Sequence, residues 1–221
     1  MIQLENLTKV YVTPRSRKVV ADRINAVFPT GSSVALMGRN GAGKSSLLRM
    51  IAGTMRPSSG QVLSDGTISW PVGFAGSFHP ELTGEQNVRF LSRVYGIDTA
   101  EMTEFVKEFA ELGQHFYVPF RTYSSGMRSR LAFGASMAVP FDTYLVDEVT
   151  AVGDASFRAK SNALFLDRMQ NASAIVVSHS PRGMREICTS GALLDNGRLT
   201  YYPDLEEAIE AHARLMGVAS M

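Results

Sequence analysis

The spacing of apolar and polar residues changes along the chain, and each change marks a different kind of element. Residues 2–12 alternate and end in Lys9-Val10-Tyr11-Val12, which predicts a strand. A polar, Pro-containing turn over 13–18 leads to a second strand region over 19–28, and Pro29-Thr30-Gly31 marks another turn. The apolar run Ser33-Val34-Ala35-Leu36-Met37 predicts a buried strand, and Ser45-Ser46-Leu47-Leu48-Arg49-Met50-Ile51 the helix after it. Arg56-Pro57-Ser58-Ser59-Gly60 breaks the pattern. Beyond it, Gln61-Val62-Leu63 and Thr67-Ile68-Ser69-Trp70 flank Asp65-Gly66, which predicts a hairpin about a D-G turn.

Across 82–138 the period becomes helical. Val88, Leu91, Val94 and Tyr95 fall on one face, Phe105, Phe109 and Leu112 on the next, and a third helix starts near Ser125 and carries Met127, Leu131 and Met137. Strand character returns at Thr143-Tyr144-Leu145-Val146 and Ala174-Ile175-Val176-Val177, followed by a hairpin around Asp195-Asn196-Gly197. Asp204 with Glu207 predicts a capping box opening a last helix, with Leu205, Ala208, Ile209, His212 and Leu215 inward. This order describes an α/β nucleotide-binding core with an all-helical segment inserted in it.

Between the buried strand and its helix stands Gly38-Arg39-Asn40-Gly41-Ala42-Gly43-Lys44-Ser45, a G-x-x-x-x-G-K-[ST] pattern in strand–loop–helix context. Backbone N–H groups must converge on an anionic polyphosphate there, and side chains would block the approach. The helix N-terminus adds orphan donors and partial positive charge. Lys44 is placed to reach the β and γ phosphates and the Ser45 hydroxyl to hold Mg²⁺. A triphosphate is the predicted ligand.

Asp147-Glu148 ends the run Tyr144-Leu145-Val146, at the sheet edge where ligands of open α/β folds gather. Asp147 is suited to orient Mg²⁺ with Ser45, and Glu148 to act as general base on the attacking water. His179 follows Ile175-Val176-Val177-Ser178 at the tip of another strand, and offers a donor to the γ-phosphate.

Composition narrows the class. A chain of 221 residues with a formal charge of +1 suits one domain, or a core with a small subdomain, and exerts no long-range pull on nucleic acid or anionic lipid. The single cysteine, Cys188, excludes an internal disulfide and fits a reducing compartment. Met1 is followed by no charged and apolar leader, and no apolar run approaches the roughly 18–20 residues of a membrane span. The expectation is a soluble cytoplasmic protein whose membrane role, if any, runs through a partner.

Two further stretches identify a family. Tyr123-Ser124-Ser125-Gly126-Met127 resembles the LSGGQ signature of ATP-binding cassette (ABC) transporter ATPases, and Asp147-Glu148 through Val152-Gly153-Asp154 resembles their Walker B and D-loop. Ser69-Trp70-Pro71-Val72-Gly73, Phe78-His79-Pro80-Glu81-Leu82-Thr83-Gly84, 122–131 and the Val149-Thr150-Ala151-Val152 wording are similar to the subgroup that exports capsular polysaccharides.

The resemblance implies a P-loop NTPase of ABC type, with a mixed-sheet core, an N-terminal antiparallel β subdomain and an inserted α-helical subdomain. One cassette would span 1–221, with its core at about 1–78 and 139–221 and its helical subdomain at about 79–138. It implies an ATPase using ATP and Mg²⁺ that pairs with a second copy and with two membrane permease subunits at the cytoplasmic face of a bacterial inner membrane. It would export a lipid-linked polysaccharide and bind no nucleic acid. The alternatives are an exporter of O-antigen, teichoic acid, lipid or drug, or a soluble non-transport ATPase of this type.

By position, Tyr11 resembles the aromatic that stacks on adenine, and Gly38 through Ser46 the phosphate loop. Ser124, Ser125 and Gly126 resemble the signature that closes on the partner's ATP, Asp154 the D-loop residue at the subunit boundary, and His179 the switch histidine. Ser125 replaces the first glycine of the signature and Met127 its glutamine; a serine still supplies its backbone N–H. Where the family has a metal-sensing glutamine, the nearest candidate is His79. A nucleotide-facing, Mg²⁺-side role and a loop that only meets the partner both stay open for it.

Overall fold

A computed structural model describes residues 1–147, 154–178 and 180–217, so Glu148, the 149–153 stretch and His179 lie outside the described residues. The chain divides into two compact units. One holds residues Met1–Pro71, the strand that ends in Asp147 and the chain from Asn171 onward. The other holds Val72–Pro140 and the helix Ala155–Met169.

In the first unit, β1 (Ile2–Thr13) and β2 (Ser16–Phe28) form an antiparallel hairpin whose register pairs Tyr11 with Lys18. β4 (Ser59–Ser64) joins the other edge of β1. The larger sheet runs β5 (Ile68–Pro71), β6 (Thr143–Asp147), β7 (Ser173–Val177), β3 (Val34–Met37), β8 (Ser190–Asp195) and β9 (Arg198–Tyr202). All its neighbours are parallel except β8–β9. All four residues of β3 are buried. The helix α1 (Lys44–Ile51) packs Leu47, Leu48 and Ile51 into a core with Leu36, Leu145, Ile175, Ala192 and Leu194, and Ile2, Leu4 and Phe28 of the small sheet join the same core. Central parallel strands covered on both faces read as unbroken apolar runs, which is why β3, β6 and β7 stood out.

The predicted hairpin over 61–70 is not one. β4 pairs with β1 while β5 pairs parallel with β6, so the chain changes sheets at Asp65-Gly66. Neither residue adopts the positive φ that a type I′ turn requires. Instead the Asp142 carboxylate accepts from the Thr67 N–H and hydroxyl at 2.7 Å each, and Ser69 Oγ accepts from the Leu145 N–H at 2.9 Å. Those contacts draw 67–71 into the parallel sheet. The β8–β9 hairpin does form as predicted, with Asn196 and Gly197 at φ 47° and 78°.

The second unit is helical: α2 (Gly84–Tyr95), α3 (Thr99–Ala110), α4 (Ser125–Ala138) and α5 (Ala155–Met169). Met102, Val106, Phe109, Leu131, Phe133 and Phe157 fill its interior. On α2, Val88 and Leu91 are buried, whereas Val94 and Tyr95 of the predicted inward face are exposed, because the buried stripe continues through Asn87 and Ser92. The chain ends in α6 (Pro181–Ile187) and α7 (Leu205–Met216), both in the first unit; Asp204 caps α7 by accepting from the Glu207 N–H at 3.0 Å. No described helix is long and apolar enough to cross a membrane.

Cys188 is buried at the end of α6, and burial pushes its thiol up to about 12. At pH 8 the native protein should therefore react with a disulfide reagent orders of magnitude more slowly than the denatured chain. Prompt stoichiometric labelling of the folded protein would contradict this burial.

Candidate functional site

Gly38 directly follows β3, and its backbone passes so close to β8 that a Cβ there would lie 2.2 Å from the Leu194 carbonyl oxygen. Gly38, Gly41 and Gly43 all have positive φ, of 147°, 75° and 111°, a curvature that L side chains resist. Gly43 serves as N-cap of α1 without any side chain, so no capping side chain takes the first-turn N–H groups of the helix. The sequence pattern asks for glycine here on chemical grounds, and the backbone geometry supplies the physical one.

Side-chain cations hold the loop's carbonyl oxygens. Lys44 Nζ donates to the carbonyls of Gly38 (2.7 Å) and Arg39 (3.2 Å). Lys18, on β2, donates to the Gly41 carbonyl at 2.8 Å. The Arg39 carbonyl also accepts from the Ala42 N–H at 3.1 Å, so the loop is tied within itself as well as to the two lysines.

Around the loop lies a cavity of about 570 Å³, lined by Tyr11, Lys18, Val20, Asn40, Gly41, Gly43, Lys44, Ser45, Ser46, Asp147 and Val177. Tyr11, half exposed, brings its hydroxyl to 3.0 Å from Ser46 Oγ, which places its ring beside the first turn of α1. Asp147, at the tip of β6, shares the cavity with Ser45. The structure thus brings together Tyr11, the phosphate loop and Asp147.

Sequence reasoning passed over Lys18 and Val20, which it placed in a turn and an ordinary strand. The signal was present in the hairpin register: a tight turn after Thr13 puts Lys18 directly across from Tyr11.

The remaining candidates belong to the helical unit. Ser124 caps α4, its Oγ accepting from the Met127 N–H at 3.2 Å, and the first turn of that helix holds no acidic residue. Ser124 and Ser125 are exposed, and a Cβ at Gly126 would meet only Ser124 Oγ, 4.0 Å away. A helix start with open amides and no opposing carboxylate attracts anions.

Asp154 caps α5. One carboxylate oxygen accepts from the Phe157 N–H at 2.9 Å and the other from Arg130 of α4 at 2.9 Å. The Phe157 amide, with Arg130 adding to it, holds this carboxyl below the usual carboxylate range. Arg130 also lies 4.4 Å over the Phe157 ring. Asp154 therefore joins the signature helix to the helix that follows the Asp-Glu stretch.

His79 is exposed, and its Nδ1 accepts from the Glu81 N–H at 3.3 Å. The loop around it is built by buried Asn87, whose amide donates to the carbonyls of His79, Leu82 and Thr83 and accepts from the His79 N–H. Thr83 and Gln86 complete a capping box on α2. The same loop zips to the segment before the signature: Phe120 N–H to the Leu82 carbonyl (2.8 Å), Arg121 N–H to the Pro80 carbonyl (2.9 Å) and Arg121 Nε to Glu81 (3.1 Å).

Residues 21–151 match a family described as ABC transporter. The chain is similar to the polysialic acid transport ATP-binding protein KpsT of Escherichia coli, 51% identical over 215 residues that cover 96% of each chain. It is also similar to the capsule polysaccharide export ATP-binding protein CtrD of Neisseria meningitidis, 40% identical over 97% of this chain and 100% of that one. Among solved structures, the ADP- and phosphate-bound dimer of the ATP-binding cassette MJ0796 matches with a TM-score of 0.74 at 24% identity, covering 93% of this chain and 99% of that one.

A Cβ at Gly84 would fall 2.3 Å from the Tyr123 hydroxyl, which is itself held by the His115 carbonyl at 2.6 Å. Gly84→Ala should destabilise the protein by about 1–3 kcal/mol in denaturant titrations. Adding Tyr123→Phe removes the colliding oxygen, so the double variant should lose less than the sum of the single losses. Strict additivity would show that the two residues do not meet.

Proposed function

The chain belongs to the ABC transporter family, and on that footing we propose that it is the ATP-hydrolysing subunit of an exporter that carries a lipid-linked capsular polysaccharide across a bacterial inner membrane. The observation that supports ATP as substrate is the cavity that unites a glycine-rich loop, Lys44, Ser45, Asp147 and Tyr11. The polysaccharide reading is supported by near full-length likeness to a polysialic acid transport ATP-binding protein and a capsule polysaccharide export ATP-binding protein.

In this reading the loop amides from Gly38 to Ser46 grip the phosphates while Tyr11 stacks on adenine. Lys44 exchanges its loop carbonyls for β- and γ-phosphate oxygens. The residues fit Mg²⁺: a hydroxyl, Ser45, and one carboxylate, Asp147, share the cavity, and this ion commonly takes one or two carboxylates with substrate phosphates and water. Held there, the ion would neutralise negative charge on the triphosphate. Glu148 takes a proton from the water that attacks the γ-phosphorus, the bond to the β-phosphate oxygen breaks, and ADP and phosphate result. His179 donates to a γ-phosphate oxygen.

One copy supplies donors on only one side of the triphosphate. The exposed α4 start of a second copy, with Ser124, Ser125 and Gly126, covers the other side, and Asp154 holds that helix in register with α5 at the subunit boundary. Donors supplied in trans at a transferring phosphoryl group are worth about 10³–10⁵ in rate. The helical unit, with Phe90, Val94 and Tyr95 exposed on α2, offers apolar surface to a pair of membrane permease subunits, and His79 sits on the loop that leads into α2. Attachment through that partner places the protein at the cytoplasmic face of the membrane.

Glu148→Gln should bind ATP normally while hydrolysis falls by about 10²–10⁴, since the base is lost and the cradle kept. Near-normal turnover would remove Glu148 from the role. Ser124→Arg and Lys44→Ala should each be nearly inactive alone. Mixing them should restore about a quarter of the activity, because half the dimers then keep one undamaged pocket if the signature acts across the boundary. If it acts within its own chain, every pocket is damaged and mixing restores nothing.

A further inference from the structure

Arg39 stands in the phosphate loop between Gly38 and Asn40, yet it is absent from the lining of the nucleotide cavity. Its guanidinium instead reaches the last turn of α7, where Nη2 donates to the Leu215 carbonyl at 2.6 Å. The last turn of a helix leaves its carbonyls without intrahelical partners, and a cation there is favoured by the helix dipole as well. Gly217 closes the helix at φ 70°, its N–H taken by the carbonyls of Ala213 and Arg214, and among the described residues the Leu215 oxygen is held by Arg39.

The helix that receives this contact is firmly seated. Leu205, Ala208 and Ala211 are buried, and α7 lies so close on β8 that a Cβ at Gly191 would come within 2.3 Å of Ala208 Cβ. The same strand, through Leu194, is what Gly38 leans on. The first two residues of the loop are thus braced by β8 and by α7, while Lys18 braces Gly41 from β2.

We propose that α7 clamps the phosphate loop through Arg39, making Arg39 a positioning residue whose grip on the Leu215 carbonyl sets the affinity for nucleotide. The clamp keeps the loop in its curved, amide-forward form before the phosphates arrive, so its loss is felt as weaker binding and not as slower chemistry at saturation. Any displacement of the C-terminal helix would then be passed directly to the ATP pocket. This rests on the loop being the ATP site.

The test uses the full chain, with ATP binding followed by a fluorescent ATP analogue and turnover measured across ATP concentrations. Arg39→Ala should weaken binding about three- to tenfold and raise KM by the same factor, with kcat changed much less. Arg39→Lys should recover part of the loss, because an ammonium group can donate to the same carbonyl. A chain ending at Arg214, which lacks the acceptor, should lose affinity to the same extent, and Arg39→Ala in that background should cost nothing more. Should the shortened chain not fold, amide hydrogen exchange decides: Arg39→Ala must speed exchange both in the loop and in the last turn of α7. Unchanged affinity in Arg39→Ala, additive losses in the shortened chain, or exchange unaltered in either segment would overturn the clamp. Lys44→Ala is the separate control: if it too binds nucleotide as the parent does, the ATP reading of the loop fails, whatever Arg39 does.

Discussion

Presenting several backbone N–H groups to one polyphosphate is the constraint around which this molecule is built. The donors lie on a turn that takes positive φ at Gly38, Gly41 and Gly43, entered from a fully buried strand and left through a helix N-terminus. Gly38 must pass Leu194 at a distance no Cβ allows, so β8 has to be where it is. Lys18 and Lys44 brace the loop through its Gly41 and Gly38 carbonyls. β3 between β7 and β8 therefore serves the site as much as the core.

The helical unit solves a different problem, that of holding a helix start rigid while leaving its amides open. Ser124 can cap α4 and remain exposed because the segment before it is fastened elsewhere: Tyr123 is buried against Gly84, and 119–121 pair with the His79–Thr83 loop. Behind it, Arg130 ties α4 to the Asp154 cap of α5. A disturbance of the loop at His79 thus has a direct mechanical route to Ser124, and one at Ser124 to Asp154. If ATP is closed between two copies, as proposed, this unit carries the motion between pocket and membrane partner.

Much of this was legible because the strongest signals are local. The phosphate loop lies within one strand–turn–helix, Asp147 ends a visibly buried strand, and Asn196-Gly197 makes its own turn. The failures share a cause, which is that they depend on partners distant in the chain. Asp65-Gly66 carries a hairpin wording, but Asp142, more than seventy residues on, pulls the following strand into another sheet. Val94 and Tyr95 keep the helical spacing of Val88 and Leu91 while Asn87 and Ser92 take the interior, since a buried amide with four satisfied contacts outweighs the apolar pattern. Lys18 could be placed only once the β1–β2 register was known, and the direction of the Arg39 side chain depends on Leu215.

Whether one chain can complete its own pocket decides between a shared and a self-contained site. The direct measurement is ATP turnover per chain over a dilution series, with sedimentation recorded at each concentration. Turnover per chain should fall as the protein dilutes into monomers, and ATP-bound monomer should hydrolyse almost nothing. Constant turnover per chain down to concentrations at which the protein sediments as a monomer would contradict a pocket completed by a second copy.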